Sequence, residues 1–333
     1  MVGPALSRRS SSVRRAVALV CALVTVLVLG ACGEGLSPEF KDPVAAAPAT
    51  DSPVTVTGAA DVPPVLEYEA PLTVTHDRSQ VVWPGVGEVL TDGDPVLLNM
   101  YAEDGRNRKI VQDTWVASPR LLRLDPADVG DQLYEALLGQ RVGARLLVVS
   151  TEEDTLTEAS GTMPLVLTVD VLPTRASGTP VTLAEGEPQV RTGKDGIPTV
   201  TVPEGDPPSE LEVRTVVRGS GAQVEPGDLV TVRYVGVKWS DGEEFDSNWE
   251  SGSVLTALFG LGTVVDGWEQ GLLEHTAGSR VLLVVPPALA YGGTDSPLAD
   301  ETLVYVVDIL DTRSAVAADN SSGEGTSAET EEG

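Results

Sequence analysis

Residues 263–285 read TVVDGWEQGLLEHTAGSRVLLVV and combine two kinds of local pattern. The first part favours one short helix from Trp268 to His275, ended near Gly278. The second part, from Arg280 to Val285, is a Val-rich apolar run of the kind found in buried β-strands. Strand patterns also occur at Leu211 to Val217, Leu229 to Val237 and Leu303 to Leu310. Several strands with one short helix predict an α+β arrangement, in which an antiparallel sheet wraps over the helix.

The same pattern occurs a second time in the chain. ALLGQRVGARLLVV (136–149) repeats GLLEHTAGSRVLLVV (271–285), and equivalent positions lie 134 to 138 residues apart. Self-similarity at a nearly constant spacing indicates a duplicated structural unit. We therefore expect two related domains, residues 65–172 and residues 209–312, each a bent antiparallel sheet wrapped around one short helix.

Three segments outside these domains have the composition of connecting chain. Residues 32–64 are rich in Pro, Ala, Thr and Asp, which predicts a flexible tether. Residues 173–208 are rich in Pro and Gly and are interpreted as a linker, in which Ile197 to Val202 has the pattern of a short strand. Residues 313–333 are acidic and polar, which predicts a disordered tail.

The N-terminal residues 1–31 have the layout of a secretory signal peptide. Four arginines precede an apolar run from about Ala16 to Leu29, which is shorter than the ~20 residues that a membrane-spanning helix needs. The stretch LGAC (29–32) resembles a bacterial lipobox, and this resemblance implies cleavage before Cys32 and lipidation of its thiol. The alternative is an ordinary signal peptide in which Cys32 is incidental.

Composition excludes several classes of function. The chain has 333 residues, 22 Lys+Arg against 50 Asp+Glu and a formal net charge of −28. This acidity argues against nucleic acid, because phosphate binding needs clustered Lys and Arg. Two Cys and two His leave no His/Cys metal cluster and no Cys/His nucleophile pair. We therefore expect an activity that needs no metal and no cofactor.

The second repeat carries a series of motifs that together are specific. In chain order they are GDLVTVRYVG (227–236), DGEEFDS (241–247), TVVDGWEQGL (263–272), AGSRVLLVVPPALAYG (277–292) and TLVYVVDIL (302–310). With these motifs, residues 209–312 resemble an FKBP-type peptidyl-prolyl cis-trans isomerase domain. The resemblance implies an apolar pocket between the sheet and the helix. Together with the signal-peptide layout and the lipobox resemblance of residues 29–32, it leads us to expect an exported, lipid-anchored bacterial form of the enzyme.

The resemblance also assigns roles to the residues at the matching positions. Trp268 would be the floor under the proline ring, and Tyr291 would donate its hydroxyl to the carbonyl that precedes the proline. Asp246 would lie at the polar rim. The walls would be formed by Tyr234, Phe245, Val264, Val265 and Tyr305. Leu255 stands where relatives often have an aromatic residue, and Leu298 is the candidate lip of a short loop; both are expected at the substrate rim.

The first repeat keeps the scaffold pattern but lacks the pocket pattern. Met100 stands at the position of Tyr234, Val111-Gln112 at that of Phe245-Asp246, and Leu133 at that of Trp268. The region equivalent to Tyr291 reads TEEDTLTEASG (151–161) and offers no aromatic residue. We therefore expect a degenerate FKBP-like domain without isomerase activity, serving as a spacer or a client-binding surface.

The leading hypothesis is a peptidyl-prolyl isomerase that acts on proline-containing exported or envelope polypeptides, anchored to the outer face of the cell membrane through lipid on Cys32. A slow X–Pro step can limit folding in any compartment. The alternatives are a non-catalytic module that binds proline segments or acts as a chaperone, and a purely structural surface lipoprotein. The resemblance also makes macrolide immunosuppressants candidate ligands.

Overall fold

The computed structural model describes residues 53–60, 62–153 and 162–315, all within the compact unit Pro43–Gly333. The predicted signal peptide, Cys32 and most of the tether and tail lie outside these residues. Among the described residues, no helix has both the length and the apolar character needed to cross a membrane. The described residues form two large antiparallel sheets, one from each half of the described sequence, and two two-stranded hairpins.

The second sheet carries the motifs on which the family resemblance rests. The elements of this half are β9 (Thr179–Pro180), β10 (Gln189–Thr192), β11 (Pro198–Thr201), β12 (Glu212–Arg218), β13 (Asp228–Lys238), β14 (Glu244–Ser247), β15 (Leu255–Leu258), α3 (Asp266–Gly271), β16 (Arg280–Val285) and β17 (Leu303–Ser314). The strands of the sheet lie in the order β14-β13-β17-β16-β12-β9, and β15 pairs with β13. A short 3-10 turn spans Pro287–Leu289.

The helix α3 packs on one face of this sheet, here called the helix face. Trp268 and Leu272 from the helix segment join Val281, Leu283 and Val285 from β16 in one buried cluster. The sequence places this helix at Trp268 to His275, whereas α3 ends at Gly271. Glu274 takes a positive φ of 66° and the carbonyl of His275 accepts a hydrogen bond from Val224, so the chain has already left the helix.

The first sheet has the same construction. The elements of the first half are β1 (Thr55–Thr57), β2 (Val65–Glu67), β3 (Arg78–Trp83), β4 (Pro95–Asp104), β5 (Lys109–Asp113), β6 (Arg120–Arg123), α1 (Pro126–Val129), α2 (Asp131–Leu137), β7 (Arg145–Glu153) and β8 (Thr162–Leu172). The strands of its sheet lie in the order β3-β7-β8-β4-β5, and β6 pairs with β4. Leu133, Ala136 and Leu137 of α2 are buried against this sheet.

A short hairpin covers the opposite, outer face of each sheet. The β10–β11 hairpin places Val190, Ile197 and Val200 on the outer face of the second sheet, and β1–β2 does the same for the first. Residues 173–208, interpreted from composition as a linker, therefore include three strands, β9, β10 and β11, and the strand expected within Ile197 to Val202 is β11. The repeated unit includes this hairpin and is longer than the two predicted domains.

A buried arginine holds each hairpin to its sheet. Arg280 makes a bidentate ion pair with Asp308, with N···O distances of 2.5 and 2.8 Å, and its Nη2 donates to the carbonyl of Gly196 in the β10–β11 loop at 3.0 Å. Arg145 repeats this arrangement with Asp170 at 2.5 and 2.7 Å and with the carbonyl of Val62 at 3.1 Å.

The end of β17 links the two halves. The sequence places the start of a disordered tail at residue 313, but β17 runs through Ser314. Arg313 is 5% exposed and donates to the backbone carbonyls of Thr114, Trp115 and Ala117 in the first half, at 2.9 to 3.1 Å. Strand pairing with β13 and these three contacts explain why residues of tail-like composition continue the sheet.

Candidate functional site

A cavity of about 110 Å³ lies between α3 and the second sheet. It is lined by Tyr234, Asp246, Leu255, Val264, Val265, Trp268, Tyr291 and Tyr305. Seven of the eight residues predicted as catalytic, and one of the two predicted at the rim, thus line one cavity. Phe245 packs on the same cluster directly behind Tyr305, and Leu298 packs on that cluster at the periphery.

Trp268 forms the floor of this cavity. It is 3% exposed and is carried on the first turn of α3, whose Val265 carbonyl accepts its backbone N–H at 2.8 Å. Its ring makes edge contacts with Tyr234 at 5.1 Å and with Tyr305 at 5.3 Å between centroids. Such perpendicular aromatic pairs fix ring orientation, so the floor is rigid. The indole Nε1 is buried and has no hydrogen-bond partner among the described residues.

The aromatic wall rests on a glycine. Phe245 and Tyr305 meet edge to face at 5.6 Å, and both rings lie over Gly236 of β13. A Cβ at Gly236 would lie 2.7 Å from Cζ of Phe245 and 3.0 Å from the Tyr305 ring. Contacts that short do not occur in real structures, so only glycine permits both rings to approach the strand.

The polar rim is an ordered arrangement of hydroxyls and one carboxylate. The hydroxyl of Tyr234 donates to Oδ2 of Asp246 at 2.6 Å. Burial and this hydrogen bond raise the pKa of Tyr234 well above its usual value of 10. Burial, together with electrostatic interaction with Tyr291, raises the pKa of Tyr305. Tyr234 and Tyr305 therefore stay protonated at any physiological pH.

Two supporting residues were not predicted from the sequence. Asn248 accepts from the backbone N–H of Tyr234 at 2.9 Å and donates to the carbonyl of Val232 at 3.1 Å, so it holds the strand that carries Tyr234. Glu269 accepts from the backbone N–H groups of Gly260 and Gly262 and fixes the loop before Val264. The position of Asn248 directly after the DGEEFDS motif is the signal that could have identified it.

The first half carries no comparable aromatic set at the equivalent positions. Gln112 pairs across from Ala102 as Asp246 pairs across from Gly236, which confirms the predicted correspondence of these two residues. In place of the hydroxyl–carboxylate bond, Nε2 of Gln112 contacts Sδ of Met100 at 3.5 Å. Leu133 is a buried core residue of α2. Most of the TEEDTLTEASG stretch, residues 154–161, lies outside the described residues.

The metal-ligating side chains in the described part of the chain form no candidate metal centre. No group of three or more His, Cys, Asp or Glu side chains there could hold a metal ion. A larger groove, of about 760 Å³, lies between the β10–β11 hairpin and the turn after β13, and its side chains are mainly polar or acidic. The much smaller aromatic cavity is the one with a dry floor and few, oriented polar groups, as expected of a ligand site.

Comparison with known proteins identifies relatives of the second half. A family model described as FKBP-type peptidyl-prolyl cis-trans isomerase matches residues 221–310. A probable FK506-binding protein of Corynebacterium glutamicum is 39% identical over 115 residues, which are 34% of this chain and 96% of that protein. The FKBP-type isomerase FkpA of Escherichia coli is 38% identical over 111 residues, 33% of this chain and 40% of that protein. The solved structure of AtFKBP13 is 30% identical over 31% of this chain and 93% of its own, with a TM-score of 0.28.

Proposed function

The chain belongs to the FKBP-type peptidyl-prolyl cis-trans isomerases and is an enzyme of that class, and we propose that it acts on X–Pro bonds of exported polypeptides in the cavity over Trp268. The single observation that supports this site best is the enclosure of one cavity by Trp268, Tyr291, Tyr305 and the Tyr234–Asp246 pair. Residues 209–312, with their covering hairpin, form the catalytic half.

The reaction requires rotation about an amide bond and no covalent chemistry. Resonance gives the peptide bond a rotation barrier of ~18–20 kcal/mol, and for X–Pro bonds both isomers are populated. Removing water from the amide disfavours its charge-separated planar form, so a dry cavity lowers the barrier to twisting. The proline ring would lie on the Trp268 indole, between Val264, Val265 and Tyr305.

Hydrogen-bond donors at the rim would act on the twisted amide. The Tyr291 hydroxyl lines the cavity, and in our proposal it donates to the carbonyl of the residue before proline. The Tyr234–Asp246 bond fixes the opposite rim and presents a carboxylate to the backbone of the substrate. A hydrogen bond that is stronger to the twisted amide than to the planar amide lowers the rotation barrier. Each ~1.4 kcal/mol of this difference raises the isomerisation rate tenfold.

We further propose that the first half is a degenerate FKBP-like domain without isomerase activity. Met100, Gln112 and Leu133 replace the tyrosine, the carboxylate and the tryptophan of the catalytic site. Apart from the additional edge strand β9 of the second sheet, its sheet and covering hairpin have the same strand order and corresponding register as those of the second half. Its proposed role is that of a spacer or client-binding surface beside the catalytic half.

The proposed location is the outer face of the cell membrane, with lipid on Cys32 and residues 32–64 as a tether. The signal-peptide layout and the lipobox resemblance of residues 29–32 support this placement. Globomycin, which blocks lipoprotein signal cleavage, should then leave the uncleaved precursor in the host cell. A Cys32→Ala chain that remains in the membrane fraction in the same amount would contradict the lipid anchor.

The activity is tested with a proline tetrapeptide and the purified chain from residue 33, by exchange NMR. Trp268→Ala and Tyr291→Phe should each lower kcat/KM by tenfold or more. Trp239→Phe and Tyr134→Phe are the matched controls, because Trp239 lies in the large groove and Tyr134 lies in the first half. Equal activity in all four variants would contradict the proposed site.

One observation favours a second candidate function, a proline-segment binder with little turnover. Leu255 lines the cavity where relatives often carry an aromatic residue, and the cavity is only about 110 Å³. Tight binding of a proline peptide or of a macrolide such as FK506, without catalysis by the folded chain, would favour this candidate.

A further inference from the structure

A cleft with a positive lining lies between the two halves of this acidic protein. Its volume is about 620 Å³, and its charged lining residues are Arg120, Arg123 and Asp128 from the first half and Arg233 from the second. The lining thus contains three arginines and one aspartate, in a chain with 22 Lys+Arg and 50 Asp+Glu. We call it the arginine cleft, and it is separate from the cavity over Trp268.

Arg233 is the innermost of these groups. It is 7% exposed, its Cζ lies 4.2 Å from the centroid of the Trp249 ring, and its Nη2 donates to the Trp249 carbonyl at 3.0 Å. Its Nε is buried without a hydrogen-bond partner in the described part of the chain. Burial lowers the pKa of this guanidinium, and the negative charge of Asp308 only partly opposes the effect.

A buried cation with so little compensation favours an anionic partner. Desolvating a charge without an opposite charge is unfavourable, and a carboxylate brought to the same place offsets that penalty. Arg120 and Arg123 are exposed at the mouth of the cleft, and neither forms an ion pair with a described carboxylate. The fork of donors on a guanidinium matches the two oxygens of a carboxylate.

The chain itself supplies a segment of suitable charge close to the cleft. Residues 316–333 contain five acidic residues, Asp319, Glu324, Glu329, Glu331 and Glu332, and no basic residue. The last described residue, Ala315, donates its backbone N–H to the carbonyl of Gly227, directly before β13. Arg233 is six residues further along that strand, or ~20 Å at the usual rise.

The length of the tail is sufficient for this distance. Eighteen residues can span ~60 Å when extended, so about six residues bring the chain from Ala315 to the cleft. The sixth residue after Ala315 is residue 321, and the acidic residues Asp319 and Glu324 lie on either side of it in the sequence. A segment tethered so close to the cleft has an effective concentration in the millimolar range. Contacts that are individually weak are then sufficient for the segment to occupy the cleft.

We propose that the arginine cleft binds carboxylates of the chain's own acidic C-terminal segment, residues 316–333. The segment would occupy the cleft as a tethered ligand and would exclude other acidic peptides from it. This inference concerns a site apart from the isomerase cavity, and it stands independently of the substrate proposed for that cavity.

The test is isothermal titration of a synthetic 316–333 peptide into two proteins, the chain from residue 33 to 333 and the same chain ended at residue 315. We expect binding to the shorter chain that is at least tenfold tighter than to the longer one, because the tethered segment already occupies the cleft. An R120Q/R123Q double variant of the shorter chain should weaken binding at least tenfold. R191Q/K194Q, at exposed positions of the outer hairpin, is the control and should not change it.

Three results would overturn the proposal. They are equal binding to the long and short chains, no effect of R120Q/R123Q in a protein of unchanged Tm, and no binding to the short chain at 20 mM salt. Binding of an unrelated acidic peptide but not of the 316–333 peptide would assign the cleft to client segments, and would equally overturn the tail as its occupant.

Discussion

The hydroxyl of Tyr234 donates a 2.6 Å hydrogen bond to Oδ2 of Asp246 across the β13–β14 pair. This bond joins the two strands at the mouth of the cavity and keeps the Tyr234 ring in edge contact with Trp268. Asp246 itself is exposed, so its carboxylate remains accessible to a substrate backbone. The bond therefore couples the orientation of the floor to that of the rim.

Removing the hydroxyl of Tyr234 should weaken catalysis with little effect on folding. A hydrogen bond of this kind contributes ~1 kcal/mol net, or about fivefold in kcat/KM if the orientation is lost. Tyr234→Phe should show this decrease in an exchange-NMR assay, and Asp246→Asn a similar or larger one. Asp241→Asn, in the same hairpin but facing Lys238, serves as the control. Unchanged kcat/KM in both Tyr234→Phe and Asp246→Asn would refute a role for the pair.

Tyr305→Phe tests the second hydroxyl of the cavity. The ring and its contacts with Phe245 and Trp268 would be retained, while the buried hydroxyl that interacts electrostatically with Tyr291 would be lost. We expect kcat to fall several-fold with KM nearly constant, since the polarity of the cavity beside Tyr291 would change while the apolar surface that binds the proline ring would not. An increase in KM alone would instead indicate that the Tyr305 hydroxyl only binds substrate.

The sequence predicts the cavity well because its residues lie in motifs that are contiguous along the chain. Trp268 is one helical turn from Val264 and Val265, and Tyr234 and Asp246 belong to one hairpin. Of the two outer hairpins only the strand within Ile197 to Val202 was predicted, because strands of three or four residues among Pro and Gly carry too short a periodicity to identify. They are stable only through packing on a sheet that is formed by distant residues.

The contacts of Arg280 could not be predicted from the sequence. Arg280 pairs with Asp308 on the neighbouring strand and with a carbonyl 84 residues earlier in the chain. A charged residue in an apolar strand gives no indication of which partner neutralises it. The same limit applies to Arg313, whose three carbonyl acceptors lie in the other half of the chain.

His275 should give the stability a measurable dependence on pH. Burial and the nearby Arg218 lower its pKa from 6.5, so the neutral ring is favoured in the folded state. As the pH falls below 6.5 the unfolded state takes up the proton first, and stability that is fully present at pH 7.5 is progressively lost. In His275→Gln the decrease in Tm between pH 7.5 and 5.5 should be smaller than in the parent by about 2 °C. An identical decrease in both proteins would show that His275 is not desolvated.

The buried pair of Arg280 and Asp308 should be among the most sensitive positions for folding. Both side chains are at most 3% exposed, and the guanidinium also holds the loop of the outer hairpin through Gly196. Asp308→Asn leaves a buried cation without a counter-charge, which typically costs ~3–5 kcal/mol. Urea unfolding followed by Trp fluorescence should show this loss as a lower midpoint with an unchanged slope.

The control for that experiment is Arg175→Gln. Arg175 pairs with Glu88 at 2.6 Å, but both side chains are well exposed, and such pairs contribute ~0–1 kcal/mol. Since Arg145 and Asp170 repeat the buried arrangement in the first half, Asp170→Asn should destabilise that half in the same way. The double variant Arg280→Met/Asp308→Leu should recover more than half of the loss in Asp308→Asn, because no buried charge remains unpaired. If it recovers none, the contact of Arg280 with the hairpin loop, rather than charge pairing, dominates the stability of this sheet.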